Sequence, residues 1–488
     1  MTPFQPPALI ATDWWALGAV IALSVGAMMV LLLEFLPARA GSSRGAIVAL
    51  LTLAAAAASV YRVRDARRPL FEGMFVHDAF TVFFTLLFCA VAAVAVLQSW
   101  DYVRRTRINH GEYYALLLSA TLGMILMAGS NDLITVFLGL ELMSLALYIL
   151  VGFRRGRLDS SEAALKYFLL GVFASGFLLY GIALLYGATG TTNLTRMAIY
   201  LVDSPMLGNP MLVMGGLLVL VGFGFKVAAV PFHMWTPDAY EGAPTTVTGF
   251  MSAGAKAAGF AALLRVLLIA LPGLQSDLRP VLTWIAILTM TVGNVTALLQ
   301  TNLKRMLAYS SIAHAGYLLV AVVAGGAEGG SAALFYLAVY SLMNLGAFGI
   351  LALLGREQEE RVMLSDLAGL ATRQPLLAGA MTIFMLSLGG IPPTAGFMGK
   401  VYVFGVAVNA GLVPLVIVGV LNSVVSIYYY LRVTIAMYMQ EPQGEPVEVA
   451  WAAPAVLAVL ATLGLTLWWG IAAHDLLVQA QRSILDLL

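Results

Sequence analysis

Charge is scarce in this chain. Only 10% of its 488 residues are Asp, Glu, Lys or Arg, against roughly 25% in an average soluble domain. With 61% hydrophobic residues and a mean hydropathy of +0.92, the composition belongs in a bilayer. The 26 basic and 25 acidic residues nearly cancel, which leaves no basic field for nucleic acid. Cysteine is scarcer still: Cys89 stands alone, excluding disulfides and iron–sulfur ligation within the chain. The absence of a GxxxxGK(S/T) phosphate loop argues against nucleotide-driven pumping, and no His/Cys spacing suggests haem or a metal site. No Lys or Arg precedes Asp13, so a cleaved signal peptide is not expected and the first apolar stretch reads as a retained span.

Lysine is the rarest charged type, with only Lys166, Lys226, Lys256, Lys304 and Lys400. Three of them lie within apolar segments: Lys226 in LLVLVGFGFKVAAV, Lys256 in VTGFMSAGAKAAGFAALL and Lys400 in GFMGKVYVFGV. Lys166 opens a fourth. A lysine at the centre of a membrane helix costs roughly 3 kcal/mol on insertion scales, so three facing lipid would cost on the order of 10 kcal/mol. They are therefore expected to face a protein interior or a hydrated path, which suggests proton or ion transport.

About fourteen runs are long enough to cross a bilayer, at about 20 apolar residues each. The expected fold is an all-α integral membrane protein, its connections mostly short. The most polar insert, GREQEERVMLSDLAGLATRQ from Gly355 to Gln374, reads as a solvated loop with a short surface helix. Basic loop residues set orientation. With the N-terminus outside, the cytoplasmic loops would hold Arg39, Arg44, Arg104, Arg105, Arg107, Arg154, Arg155, Arg157, Lys304, Arg305, Arg356, Arg361 and Arg373. Both termini are then expected on the periplasmic side of a bacterial inner membrane. Four arginines (Arg62, Arg64, Arg67, Arg68) crowd one loop on the other side.

Two spans are interrupted. One runs from Met211 to about Val230 and meets Pro231; another reaches Ile391, meets Pro392 and Pro393, and resumes as TAGFMGKVYVFGVAV. Proline frees carbonyls that a lipid-facing helix could not satisfy, so such backbone is buried in protein or lines water. Each break falls in the fourth span of a five-span set. An odd number of spans per set inverts the second relative to the first, the architecture of many ion-coupled transporters. The expected units are an N-terminal three-helix segment (1–110), a first five-helix repeat (111–272), a second, inverted repeat (273–440) and a C-terminal transmembrane helix (441–488). Two ordinary proline kinks would be the plainer reading, but they leave the lysines beside both breaks unexplained.

Glu141, deep in LITVFLGLELMSLALYILVGF, is the carboxylate placed well inside a span. Desolvation destabilises a buried ammonium, and Glu141 could pair with one lysine and release its proton on moving away. With three lysines and one carboxylate, a purely structural pair explains too little. Lys166 follows Glu162 by one helical turn, so a surface ion pair is the simpler account there. Arg265 and Arg432, nearer their helix ends, are expected to snorkel. His233, after the first break, and His314, in LAYSSIAHAGYLLV, could each relay protons or simply hydrogen-bond a carbonyl.

Several segments together resemble the antiporter-like membrane subunits of respiratory complex I. They are KVAAVPFHMWTPDAYEGAPTTVTGFMSAGAKAAGFAALLR (226–265), NDLITVFLGLELMSLALYILVGF (131–153), TNLKRMLAYSSIAHAGY (301–317) and GGIPPTAGFMGK (389–400). The chain ends without the long lateral helix of the largest relative, and Lys400 stands where another relative carries a glutamate. The resemblance implies that Glu141 and Lys226 form a coupling pair, that Lys256 is the central relay and that Lys400 is the terminal lysine of a hydrated axis. His314 is a candidate stepping stone between the last two. The resemblance also implies proton translocation driven by quinone reduction elsewhere, with flavin, iron–sulfur clusters and quinone on partner subunits and no cofactor or redox site here. The expected partners are other membrane-arm subunits, including adjacent antiporter-like ones, and lipid. Subunits of multi-subunit sodium/proton antiporters share these motifs and remain the alternative.

Overall fold

The computed structural model describes residues 10–36, 43–203, 209–271, 275–355, 359–442 and 448–488. Arg39, Arg356, residues 356–358 of the polar insert and the first nine residues, on which the signal-peptide expectation rests, lie outside them.

The chain is almost wholly helical. α1 (Ala11–Ala16), α2 (Gly18–Leu33) and α3 (Arg44–Arg62) are followed by an antiparallel hairpin, β1 (Arg68–Leu70) with β2 (Phe75–His77). Then come α4 (Ala79–Arg105), α5 (Gly111–Gly129), α6 (Leu133–Val151), α7 (Leu158–Thr189), α8 (Leu194–Asp203), α9 (Pro210–Val227), α10 (Trp235–Gly242), α11 (Thr245–Phe250) and α12 (Lys256–Arg265). A π-helical turn, Met251–Ala255, joins α11 to α12, and a second, Val266–Ala270, extends α12. The rest is α13 (Gln275–Leu298), α14 (Leu303–Ala324), α15 (Gly326–Leu353), α16 (Leu370–Arg373), α17 (Pro375–Gly389), α18 (Ala395–Asn409), α19 (Val413–Met439), α20 (Ala453–Ile471) and α21 (His474–Leu487). Among the described residues, 12 helices are long and apolar enough to cross a membrane, and α2, α17 and α18 are shorter apolar ones.

Burial sorts these helices. In the most apolar 18-residue stretch of each helix, 89% of residues are buried in the α11–α12 span and 94% in α14 and in α15, against 33% in α7 and in α19. Polar side chains gather on the central three, where backbone is satisfied within each helix and only side chains need partners. Helix starts are fixed by caps: Asp78 accepts from Thr81 N at 2.8 Å, Asp132 from Ile134 N at 2.9 Å and Asn302 from Lys304 N at 2.9 Å.

The first interruption begins earlier than Pro231 suggested. α9 stops at Val227 because Ala228 turns left-handed (φ 62), and Ala229 N returns to Gly224 O at 2.8 Å. Freed backbone groups find partners: Trp235 Nε1 donates to Phe225 O at 3.0 Å, and Val230 N to Thr289 Oγ1 at 3.0 Å. The second follows the same grammar. α17 ends before Gly390 (φ 83), Pro392 and Pro393 occupy the link, and the chain resumes at Ala395.

Three expectations are corrected. Arg265 does not snorkel: it is 1% exposed and grips Asp78 through two bonds of 2.9 Å, tying α12 to the start of α4. The polar insert does form a short 3-10 turn, Leu364–Leu367, and α16, yet it is not simply solvated, because Glu360 folds inward. Lys304 and Arg154, counted as loop charges, are buried around it. The hairpin and the amphipathic α21, whose Leu476, Ala480, Ile484 and Leu487 are buried, were not anticipated.

Candidate functional site

The carboxylate lies at one end of the site. Glu141 sits half-buried in the middle of α6, where Ser175 of α7 donates a hydrogen bond to it. One turn along α6, Ser144 Oγ accepts from Lys226 Nζ at 2.8 Å. The same ammonium lies 5.8 Å from the centre of the Tyr167 ring. No direct Glu141–Lys226 ion pair closes among the described residues. Instead Ser144, Ser175 and Lys226 share the wall of a cavity of about 10 Å³, about the room one water needs.

Lys256 opens α12 where the π turn ends, a helix irregularity common at functional sites. Its ammonium donates to the Ser311 backbone carbonyl and lies 5.4 Å from the Tyr340 ring centre. Gly259, one turn further, packs closely on α9: a Cβ there would stand 3.0 Å from Val227 Cγ1 and 3.4 Å from Lys226 Cγ. The two lysines therefore occupy adjoining faces of α9 and α12.

His314 on α14 continues the line. Its Nδ1 is 2.7 Å from the Tyr336 hydroxyl and its Nε2 3.1 Å from that of Tyr430, so at least one tyrosine accepts and one donates in the neutral ring. Its ring centre lies 5.0 Å from Tyr340 and 5.6 Å from Tyr317. Beyond it Lys400, 5.0 Å from the Tyr317 ring centre, donates to Ser423 Oγ and to Gly389 O, each at 2.8 Å. Gly389 is the last residue of α17, so Lys400 satisfies a carbonyl that the break sets free. Lys226, Lys256, His314 and Lys400 are 4%, 2%, 1% and 5% exposed, so all four are interior groups.

Three other candidates stand apart from this line. Lys166 pairs on the surface with Glu162 at 2.8 Å and Asp238 at 2.9 Å. His233 is half-buried in the first interruption, its Nδ1 without a partner among the described residues. Arg432 donates to the carbonyls of Leu298 and Gln300.

Sequence reasoning missed the tyrosines and Glu360. Tyr336, Tyr340 and Asn344 recur every four residues on α15, a polar stripe on one helix face that periodicity could have exposed. Glu360 had no such signal, since its run of charges reads as solvent-facing. It bridges Arg154 at 2.9 Å and Lys304 at 3.4 Å, and Thr245 Oγ1 donates to it at 2.5 Å. The Tyr102 hydroxyl donates to it as well. Burial alone would raise the Glu360 carboxyl, but Lys304 and Arg154 outweigh burial and hold it well below the usual carboxylate range. A carboxyl depressed on folding stabilises the fold above its unfolded value, about 4.3. That contribution is lost only as pH falls through the lowered folded value, so this cluster stays ionised at neutral pH.

The family profile described as NADH:quinone oxidoreductase/Mrp antiporter, transmembrane, matches residues 130–426. The chain belongs to this family. The matched stretch carries Glu141, Lys226, Lys256, His314 and Lys400, so the line of buried groups lies wholly within the part this antiporter-like family shares. A protein of Trichlorobacter lovleyi named NADH-quinone oxidoreductase subunit N is 52% identical over 414 residues, 85% of each chain. A chain of respiratory complex I from Thermus thermophilus, solved with bound aureothin, superposes with a TM-score of 0.80 at 39% identity, covering 94% of this chain and 98% of that one. A chain of the Mrp complex from Dietzia shares the fold, with a TM-score of 0.86 at 23% identity over 98% of both chains.

Proposed function

We propose that this chain is the N-type antiporter-like subunit of a proton-translocating NADH-quinone oxidoreductase. Its own task is to move protons along a buried axis when quinone is reduced elsewhere in the complex. The observation that carries this reading is the line Lys226, Lys256, Tyr340, His314, Tyr317, Lys400, interior throughout, with ring-centre distances of 5.0, 5.4 and 5.6 Å joining successive side chains from Lys256 onward. A change in the state of Glu141 reaches Lys226 through Ser144, Ser175 and the small cavity between them. The proton then passes to Lys256 and on through His314 towards Lys400. Flavin, iron–sulfur clusters and quinone belong to partner subunits, and adjacent antiporter-like subunits flank this one.

Counting α2 and taking α17–α18 as one interrupted crossing gives fourteen crossings, with both termini on the periplasmic side of a bacterial inner membrane. Residues 111–272 and 273–440 are read as inverted five-helix repeats. Supporting this, each contains a helix that stops at a left-handed residue, Ala228 or Gly390, followed by proline, with a buried lysine beside the break.

His314→Phe tests the route beyond Lys256. It keeps an aromatic ring at the position and removes both nitrogens. Proton transfer through this step should slow on the order of a hundredfold, the lower end of what one positioned group contributes. Proton pumping by the assembled complex in membrane vesicles measures it; native pumping would remove His314 from the path. A sodium/proton antiporter of the same fold is the second reading, and copurification with a flavin and iron–sulfur arm separates the two.

A further inference from the structure

A second buried polar system lies apart from the lysine line and meets it at one point. Glu360, from the segment after α15, is held by side chains of three other regions: Tyr102 at the end of α4, Arg154 after α6 and Lys304 at the start of α14. It also caps α11, accepting from Thr245 Oγ1 at 2.5 Å and from Thr245 N at 3.2 Å. From Thr245 the next polar side chains on this helix are Thr246, which faces Tyr113 at 2.8 Å, then Thr248, Ser252 and Lys256. Thr245, Thr248, Ser252 and Lys256 are spaced by three or four residues and so share one helix face. Eleven residues of rise cover about 16 Å, half of a hydrocarbon core about 30 Å thick. All three hydroxyl residues are fully buried.

α15 lines the same face. Asn344 Nδ2 donates to Ser252 Oγ at 2.6 Å and to the Tyr340 hydroxyl at 3.0 Å, and Tyr340 is the ring that Lys256 faces. Asn344 Oδ1 is buried and has no protein partner among the described residues. A buried amide oxygen in that position is usually satisfied by water. Threonines in a first helical turn often do no more than bond to nearby preceding carbonyls, as Thr248 does to Tyr240 O at 2.9 Å and Pro244 O at 3.3 Å. That habit extends to Ser252, whose hydroxyl bonds back to Gly249 O at 2.8 Å, but it accounts neither for Asn344, whose amide reaches Ser252 from α15, nor for a carboxylate brought from a distant segment to the head of the stripe.

We propose that the Glu360 cluster and the hydroxyl face of α11 form the intake through which protons reach Lys256 from the arginine-rich face of the membrane, with Glu360 as the positioning carboxylate at its mouth. The inference deepens the proposed function and rests on it. Arg154 and Lys304 place two cations at the mouth, and Glu360 is their shared counter-charge. Without it, a proton approaching Thr245 meets two uncompensated charges in a poorly screened setting. With it, the net charge at the mouth falls by one, and water held along the face by the Thr245, Thr248 and Ser252 hydroxyl oxygens, each of which keeps acceptor capacity, passes the proton inward.

The test uses the whole complex in inside-out vesicles, with proton pumping measured against NADH:quinone turnover. Glu360→Gln and Ser252→Ala should each lower pumping on the order of a hundredfold, the lower end for loss of one positioned proton-transfer group. Glu360→Asp should recover most of the rate. Lowering pH on the arginine-rich side should restore pumping in Ser252→Ala, because more abundant protons offset slow capture; a folding defect would not respond. Ser252 lies away from the ion cluster, so its variant keeps the test open where Glu360→Gln fails to assemble. Native pumping in Ser252→Ala, with pumping lost in Lys256→Ala, overturns the intake and leaves the lysine axis standing. Native pumping in both overturns the axis as well.

Discussion

Lys256→Ala is expected to abolish proton pumping in a complex that still assembles. The side chain is 2% exposed at the junction of the π turn with α12, and its ammonium has only the Ser311 carbonyl as a hydrogen-bond partner among the described residues. No carboxylate forms an ion pair with it there, so its loss strands no buried counter-charge, and the cost to folding is limited to one lysine stem packed among Tyr340 and its neighbours. The functional cost is different in kind. Lys256 is where the Lys226 side of the line meets the His314 side, and no other titratable group on α12 lies between Gly259 and the π turn. Removing it should lower proton transfer by at least a hundredfold, within the range of a positioned acid–base group. Vesicle acidification at fixed subunit content measures the effect. Full pumping in an assembled Lys256→Ala complex sinks the central-relay assignment. Lys256→Arg should fail almost as fully, because guanidinium does not give up its proton in proteins.

The largest effect on stability is expected from Arg265→Ala. The guanidinium forms two 2.9 Å bonds with Asp78, a third of 3.0 Å with Thr81 Oγ1, and lies 4.9 Å from the Phe80 ring centre. Both members of the pair are 1% exposed. Removing the cation leaves the Asp78 carboxylate buried without its charge partner, which costs about 3–5 kcal/mol. The double variant Arg265→Met with Asp78→Leu should recover the part of that due to the stranded charge, since a matched apolar pair removes both desolvated charges, while losing about 1 kcal/mol with the Asp78 cap of α4. Subunit content of membranes and the temperature at which the isolated complex loses this chain report the difference. Equal losses in the single and double variants would mean that the pair acts otherwise than as a charge-compensated clamp between α4 and α12.

Some of this was legible in the sequence, for physical reasons that can be named. A lysine inside an apolar run violates composition so strongly that Lys226, Lys256 and Lys400 announce themselves, and proline in a long run marks an interrupted helix. Family membership followed from motifs such as GGIPPTAGFMGK. Where α9 stops was less visible: the residue that ends it is Ala228, whose left-handed backbone no side-chain preference foretells. Arg265 looked free to snorkel because its partner, Asp78, lies in a loop far away in sequence. Glu360 was hidden by its own surroundings. A cluster of charges between spans is normally solvated, and only tertiary contacts with Arg154, Lys304 and Tyr102 take one member inside. Pairings between distant segments leave no local periodicity to detect.

Each of the three lysines of the line lies 5.0–5.8 Å from the centre of a tyrosine ring: Tyr167 for Lys226, Tyr340 for Lys256 and Tyr317 for Lys400. An aromatic quadrupole attracts an ammonium by about 0.5–2 kcal/mol without carrying any net charge of its own. Cushioning of this kind leaves the visiting cation nothing to neutralise it permanently, as a buried aspartate would. On the proposed proton axis, three shallow, similar resting places in series would favour onward movement over capture, and exchanging any of these rings for a carboxylate would turn a way-station into a trap.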